Sequence, residues 1–377
     1  MATKFLDATY NHFEKVTDVR INRGKNHPLI EMIFVSLCAT ICGADGWADV
    51  ERFGKAKLSW LRRFLPFESG IASHDTLGRV FSRLDSVQFY AALQGWVSEI
   101  TGALEGETVA FDGKTLRGSF DTASSKSALH SVSAWACGLR LCLGLNSVDD
   151  KSNEIPAVQQ LIDMLDLQGA VVTADAMHCQ KATAEKIIDK EADYILFVKG
   201  NQPTLKNELQ ESILEAFESD NKNIRQYQKS EKNRNREEFR SMMVMPVPKD
   251  SSVFEQWKGI RTIGQIYRAR EIDGKVEEEQ TLFISSLEPK VREHNQRVRQ
   301  HWSIENQQHY ILDVTFSEDS SRIRKGSAPE ISSVFRRLAL SILQRDTTMK
   351  DSIRGKRKRC GWDEAVFEKL IANISFN

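Results

Sequence analysis

No apolar run in this sequence is long enough to cross a bilayer. The stretch from Met32 to Ala44 falls well short of the roughly 20 residues a spanning helix requires. The first residues also lack the basic, apolar, small-residue order of a secretory leader. Membrane partners are therefore not expected. The cysteines, Cys38, Cys42, Cys137, Cys142, Cys179 and Cys360, include no CxxC pair of the zinc-ribbon kind. They read as small buried hydrophobes in a reducing, cytoplasmic setting. Internal repeats and low-complexity tracts are lacking too. So is a net charge: Lys plus Arg and Asp plus Glu both number 52, so no global basic field points to a polyanion.

What is present is ordinary in amount and uneven in placement. Hydrophobic residues are 41% and charged residues 28% of the chain, the composition of a globular protein. Its 377 residues would form roughly two or three compact units. Charges from Glu208 to Asp220 are all acidic, whereas Lys222 to Arg240 carries seven Lys or Arg against Glu231, Glu237 and Glu238. Arg354 to Arg359, RGKRKR, holds five cations in six residues. Each run fits a solvated basic face. Together they favour a polyanion, because screening makes the local density of charge decisive.

The periodicity changes along the chain. Leu29, Ile30, Ile33, Phe34 and Leu37, then Trp47, Val50 and Phe53, recur at helical spacing. Ser73 and Ser86 are expected as helix N-caps, and a helical region ends near residue 100. Val109-Ala110-Phe111 then reads as a strand running into Asp112. Leu129 to Ala136 and Arg140 to Val148 flank Cys137-Gly138 as a hairpin, although Gly138 does not fix the turn type. Pro156 to Leu165 and Gln180 to Lys190 read as helices, Ala170 to Ala174 and Ala192 to Val198 as strands. Phe239 to Val247, Gly259 to Arg270 and Gln280 to Ser285 are β-like, with a turn at Asp273-Gly274. Lys290 to Leu312 returns to helix. Three successive strands followed by alternating helices and strands predict an α/β fold with an RNase H-like mixed sheet, interrupted by a β-rich insertion and preceded by an all-helical domain. The expected divisions are 1–100, 101–220, 221–288, 289–345 and a basic tail, 346–377.

Two aspartates stand where such sheets place ligand chemistry. Asp112 and Asp175 each follow an apolar strand, and adjacent strands would bring both to the carboxyl edge of one sheet. Two hard oxygen donors suit magnesium or manganese. Either aspartate alone also fits a helix cap. The polar neighbours, Gly113-Lys114-Thr115 with Arg117 and His178 with Gln180, favour a ligand site. A third carboxylate would come from a helix on that sheet, and Glu305 is the candidate, with His301 and His309 on a stripe at spacing four. A plain surface glutamate fits the pattern equally. Gly113-Lys114-Thr115 is not a Walker A loop, because Thr108 stands where the earlier glycine belongs. The histidine stripe is not HExxH, which argues against zinc.

At these residues the chain resembles the DDE transposases of bacterial insertion sequences, most closely the H-repeat-associated, ISAs-type group. The resemblance runs nearly end to end: Gly43-Ala44-Asp45-Gly46-Trp47, Ser73-His74-Asp75-Thr76 with Arg79, and Phe111 to Arg117 come first. Lys151-Ser152-Asn153-Glu154-Ile155, Asp175 to Gln180, Asp193-Tyr194 and Lys199-Gly200-Asn201-Gln202 follow. His301 to Asn306, Leu312-Asp313-Val314 and Glu318-Asp319 complete it. The resemblance implies a catalytic, metal-holding triad of Asp112, Asp175 and Glu305, with two magnesium or manganese ions per site. The activity it implies is cleavage of transposon-end DNA and strand transfer into a target. A nuclease without strand transfer, or a transposase-derived protein that only binds DNA, are the alternatives.

Partners implied are double-stranded DNA, as terminal inverted repeats and target, and a second copy of the chain on that DNA. Lys114, Arg117, Lys199 and Arg299 are expected to contact backbone phosphates, Asn201 and Gln202 to shape the rim, and Arg236 and Asn306 to join the DNA contacts. Trp257 would stack on an unpaired base or belong to a core. In the wider superfamily Tyr, Arg and Lys often surround the third carboxylate. Val298, His301 and Leu312 stand there in this chain, so His301 is expected to replace the arginine as a phosphate contact.

Overall fold

The computed structural model describes residues 2–21, 25–120, 127–148, 153–219, 221–233, 236–272 and 275–374. The expected turn at Asp273-Gly274, and Lys151-Ser152, lie outside the described residues. Helices α1 (Ala2–Phe13), α2 (Leu29–Ile41), α3 (Trp47–Ala56), α4 (Leu58–Leu61), α5 (His74–Phe81) and α6 (Ser86–Thr101) come first. There follow β1 (Thr108–Thr115), β2 (His130–Ala136), β3 (Leu141–Ser147), α7 (Glu154–Met164), β4 (Val171–Ala174), α8 (Lys181–Asp189), β5 (Asp193–Val198) and α9 (Pro203–Glu218). The strands β6 (Arg225–Asn233), β7 (Arg236–Pro246), β8 (Thr262–Ile272) and β9 (Lys275–Ser285) precede α10 (Val291–His301), α11 (Tyr310–Val314), α12 (Ala328–Arg345), α13 (Ile353–Trp362) and α14 (Glu364–Ala372). The chain divides into two compact units. Met1–Ala103, Gly113–Asn153 and Ile304–Asn377 form the first, and Leu104–Asp112 with Glu154–Ser303 the second.

The second unit is a mixed sheet in the order β1-β4-β5-β9-β8-β7-β6. β1, β4 and β5 run parallel, with Thr108 to Phe111 opposite Val171 to Ala174 and the latter opposite Asp193 to Leu196. These segments are apolar almost without interruption because a parallel strand is covered on both faces. β9 adds antiparallel to β5, so the long antiparallel strands after α9 continue the same sheet. Val171, Ile195, Phe197, Met242, Val244, Ile266 and Phe283 meet Val298 of α10 in one core, each contributing about 1.5–3 kcal/mol by burial. Gly264 permits this packing: a Cβ there would lie 2.8 Å from Met243 O and 2.2 Å from the Phe283 ring. α10 is tied to β1 by Arg297, which donates to Thr108 Oγ1 at 3.0 Å.

The first unit holds the leader helices, the β2–β3 hairpin and α11 to α14, with strand order β3-β2-β1. Phe81, Phe89 and Phe335 meet edge to face, and Phe5 packs on Phe34 and Trp96. α12 is buried from Ile331 to Leu343, arginines included. Arg337 donates to Glu318 Oε1 at 2.7 Å, and Ser333 donates to the same oxygen at 3.2 Å. Two cations of the RGKRKR run also turn inward. Lys356 donates to Leu343 O at 3.0 Å and faces Asp346 Oδ2 at 3.0 Å. Arg357 donates to Thr40 O at 3.1 Å and lies 4.1 Å over the Phe316 ring. Both satisfy carbonyls left open at helix C-termini, where positive charge is favoured. Packing overrides the polyanion reading for these two residues.

Several expectations change in detail. Ser73 caps α5, accepting from Thr76 N at 3.3 Å. Asp85 rather than Ser86 caps α6, accepting from Val87 N at 2.9 Å, because Ser86 is already helical. The hairpin turn places Arg140, not Gly138, in left-handed backbone at φ 55°. β1 continues through Asp112 to Thr115, so Asp112 follows the end of the parallel ladder at Phe111 but lies within the strand. β6, wholly polar apart from Tyr227, carries no apolar alternation and was not anticipated.

Arg337→Met would leave the buried Glu318 carboxylate without the cation that bonds it directly. A loss of about 3–5 kcal/mol is expected from denaturant unfolding. Burial pushes the Glu318 carboxyl up, but Arg337 and Arg336 outweigh it and hold the group below its ordinary value of 4.5. A carboxyl depressed on folding contributes stability above its unfolded value and loses it as pH falls through the folded one. Stability should therefore decline on acidification below about pH 4.5, and Glu318→Gln should flatten that decline.

Candidate active site

In the second unit the β1–β4 ladder closes at Phe111 opposite Ala174. The next residues are Asp112 and Asp175. Asp112 is half-buried within β1, and Asp175 follows β4 with its side chain 53% exposed. Asp175 occupies the N-cap position of the short 3-10 turn Ala176–His178 without capping it by a side-chain hydrogen bond. Asp112 is a strand residue, and the next turn, Arg117–Ser119, has Leu116 at its N-cap. Neither aspartate serves as a helix cap, which removes the structural reading that each alone allowed.

A buried imidazole stands behind Asp175. His301, at the end of α10, is 3% exposed. Its Nδ1 lies 3.0 Å from Thr173 Oγ1, its Nε2 3.7 Å from Asp175 Oδ1, and its ring meets the Phe197 ring edge to face. The His301 interaction, opposed by burial and helped by Lys199 and His178, holds the Asp175 carboxyl below its ordinary value. His301, expected as a phosphate contact, is thus turned inward to Asp175. The segment after Asp175 is pinned by residues expected at the rim. Asn201 donates to Ala176 O at 2.7 Å and Gln202 to Cys179 O at 3.0 Å. His178 is buried with Nε2 3.2 Å from Glu154 Oε2. Lys199 and Arg299 are exposed. Trp257 is 2% exposed, a core position. Arg236 begins β7, and its side chain lies outside what is described.

In the first unit Lys114 follows Asp112 by two residues along β1. It is buried, with Nζ 2.7 Å from both carboxylate oxygens of Asp313 and 3.5 Å from Asp319 Oδ1. Its charge is engaged within the fold. Arg117 is 84% exposed, 3.7 Å from Asp319. Glu305 opens a π-helical turn, Glu305–His309, and its side chain is 65% exposed. His309 Nδ1 lies 3.7 Å from Glu305 Oε2 and is itself buried. Asn306 is exposed, while Ile304 and Gln308 are buried. The turn is wider than the α-helical spacing of four on which the His301, Glu305, His309 stripe rested, yet His309 and Glu305 remain neighbours. Both histidines point inward and only the glutamate outward. Such π turns are rare and recur at functional sites.

Sequence reasoning did not single out Thr173, Asp313 or Asp319 as partners. Thr173 carried a signal, as the one polar residue of a buried apolar strand. Asp313 and Asp319 stand in the Leu312-Asp313-Val314 and Glu318-Asp319 motifs, but their pairing with Lys114 depends on tertiary contact.

Comparisons with known proteins bear on this geometry. Residues 10–97 match the DDE_Tnp_1-associated family and residues 104–342 the transposase DDE domain family. YncI of Escherichia coli O157:H7, whose name gives it provisionally as a transposase, is 36% identical over 98% of this chain and 96% of its own. YhhI of Escherichia coli K12, provisionally named an H repeat-associated transposase, is 35% identical over 97% of this chain and 98% of its own. The solved piggyBac transposase synaptic complex with hairpin DNA is similar over all of this chain and 83% of that one, at 10% identity and a TM-score of 0.39. On its family match and on relatives spanning nearly its whole length, the chain belongs to the DDE-domain transposases, of the H repeat-associated type.

Proposed function

We propose that the protein cuts DNA at the ends of a mobile element and joins those ends to target DNA, with Asp112, Asp175 and Glu305 holding two divalent ions. The observation that supports this most is the pair Asp112 and Asp175, one step beyond the last paired residues of adjacent parallel strands, with neither carboxylate used as a cap. Oxygen donors of this kind fit magnesium or manganese. Glu305, exposed at the start of a π turn four residues after His301, is the third donor in this reading. Divalent ions held there would neutralise the scissile phosphate and activate water or a 3′-hydroxyl.

The chain's own residues do the positioning. Thr173 fixes the His301 ring through Nδ1, and the ring in turn orients the Asp175 carboxylate. Asn201 and Gln202 keep the turn after Asp175 in place. With Lys114 engaged by Asp313, phosphate contact passes to the exposed Arg117, Lys199, Arg299 and Asn306. Two ends must be held together for transposition, so a dimer formed on DNA is part of the proposal.

Asp112→Asn and Asp175→Asn should each reduce magnesium-dependent cleavage of duplexes bearing the element's inverted repeats to background, with DNA binding retained. Wild-type cleavage by either variant would falsify the pairing. Glu305→Gln should behave alike, and if it stays active the third donor lies elsewhere, Asp313 being the next to test. A strand-transfer assay separates the proposal from a simple nuclease, since unjoined ends alone would point to the latter. His301→Ala should weaken manganese binding to the protein, followed by Mn2+ resonance, by about 10–100-fold. Thr173→Val should share part of that loss, and unchanged affinity in both would remove the positioning role.

A further inference from the structure

The basic run from Arg354 to Arg359 is divided by α13. Lys356 and Arg357 point into the first unit, as described above, whereas Arg354, Lys358 and Arg359 are exposed. Trp362, at the end of the same helix, is 75% exposed. Arg354, Lys358 and Trp362 follow one another at spacing four. They therefore share one face over about 12 Å of helix. Among the described residues none of the three cations takes part in an ion pair. The carboxylates at the helix ends are engaged: Asp351 accepts from Ser352 N at 2.7 Å, Asp363 from Ala365 N at 2.8 Å, and Glu364 faces Lys57 at 3.0 Å. The cationic stripe, without ion pairs among the described residues, ends in an exposed indole. An aromatic ring beside cations is a combination that nucleic-acid-binding surfaces use.

We propose that the outer face of α13 is a second contact surface for duplex DNA, outside the residues 104–342 that match the transposase DDE domain. Arg354, Lys358 and Arg359 bind backbone phosphates, and the Trp362 ring packs on a sugar or base edge beside them. The inference rests on the family's action on DNA and not on the identity of the catalytic carboxylates. Two features favour it. The inward Lys356 and Arg357 clamp the helix to the carbonyls of Leu343, Thr40 and Ala44, so the outer cations are presented by a rigid element and little ordering cost remains on binding. A membrane surface is the other polyanion to consider. A helix that lies in a membrane needs a broad apolar face, and the outer face of α13 offers a single ring.

The test uses the full chain and a duplex of arbitrary sequence, with affinity measured over a range of salt concentrations. For Arg354→Gln/Lys358→Gln/Arg359→Gln the slope of log affinity against log salt should become shallower by about 3, about 1 for each phosphate no longer neutralised. Each single substitution should remove its own share. Trp362→Ala should weaken binding with the slope unchanged, and Trp362→Phe should restore it. Unaltered melting temperatures will confirm that these surface changes leave the fold intact. An unchanged slope in the triple variant overturns the proposal. So does loss of binding to phosphatidylserine vesicles with DNA binding preserved, which would make the surface a lipid contact. Asp112→Asn should keep the full slope. A protein that cuts no DNA yet shows the slope change would sink the catalytic reading and leave this surface standing.

Discussion

The parallel pairing of β1 with β4 is the constraint on which the candidate site depends. Four residues of each strand, Thr108 to Phe111 and Val171 to Ala174, are matched in register and buried. A slip of one residue would turn every side chain of one strand to the opposite face relative to the other, so where the next residues stand depends on this register. Asp112 and Asp175 inherit their common position from that alignment. Neither is held there as a helix cap.

What surrounds Asp175 follows from where α10 packs. Val298 enters the core with Val171 and Phe197, and Arg297 fastens the helix to the start of β1. That seating carries His301 beneath the end of β4, where Thr173 and Asp175 lie two residues apart on the same strand direction and so face the same side. A hydroxyl inside an apolar strand is costly unless bonded. Here the bond it makes fixes an imidazole beside a carboxylate.

Charge is used in two ways in this chain. In the first unit Glu318, Arg337, Lys356 and Arg357 are buried and closely paired or bonded to helix-end carbonyls. Removing any one partner would strand another in a medium of low dielectric. Lys114 belongs with these, since two aspartates take up its charge. Other cations, among them Arg117, Lys199, Arg299 and the outer stripe of α13, are exposed. A net charge of zero is therefore compatible with action on DNA: it averages over charges that hold the fold and charges that face outward.

Much of this was legible in the amino-acid order. The helical leader, the apolar strands before Asp112 and Asp175, the hairpin after β1, the late antiparallel strands and the family itself all follow from patterns of a few residues, because periodicity and motif are local properties. The edge strand β6 escaped notice, since a polar strand has no apolar alternation to betray it. The inward turn of His301, Lys114, Lys356 and Arg357 was equally hidden. A basic side chain looks the same in sequence whether it meets water, phosphate or a buried carbonyl, and its partners are separated from it along the chain by 10 to 317 residues. Asp112 and Asp175 were thus readable in the sequence as the residues that follow short apolar runs. Only the tertiary structure decided that they do not cap helices, that an imidazole supports one of them, and which basic side chains turn inward.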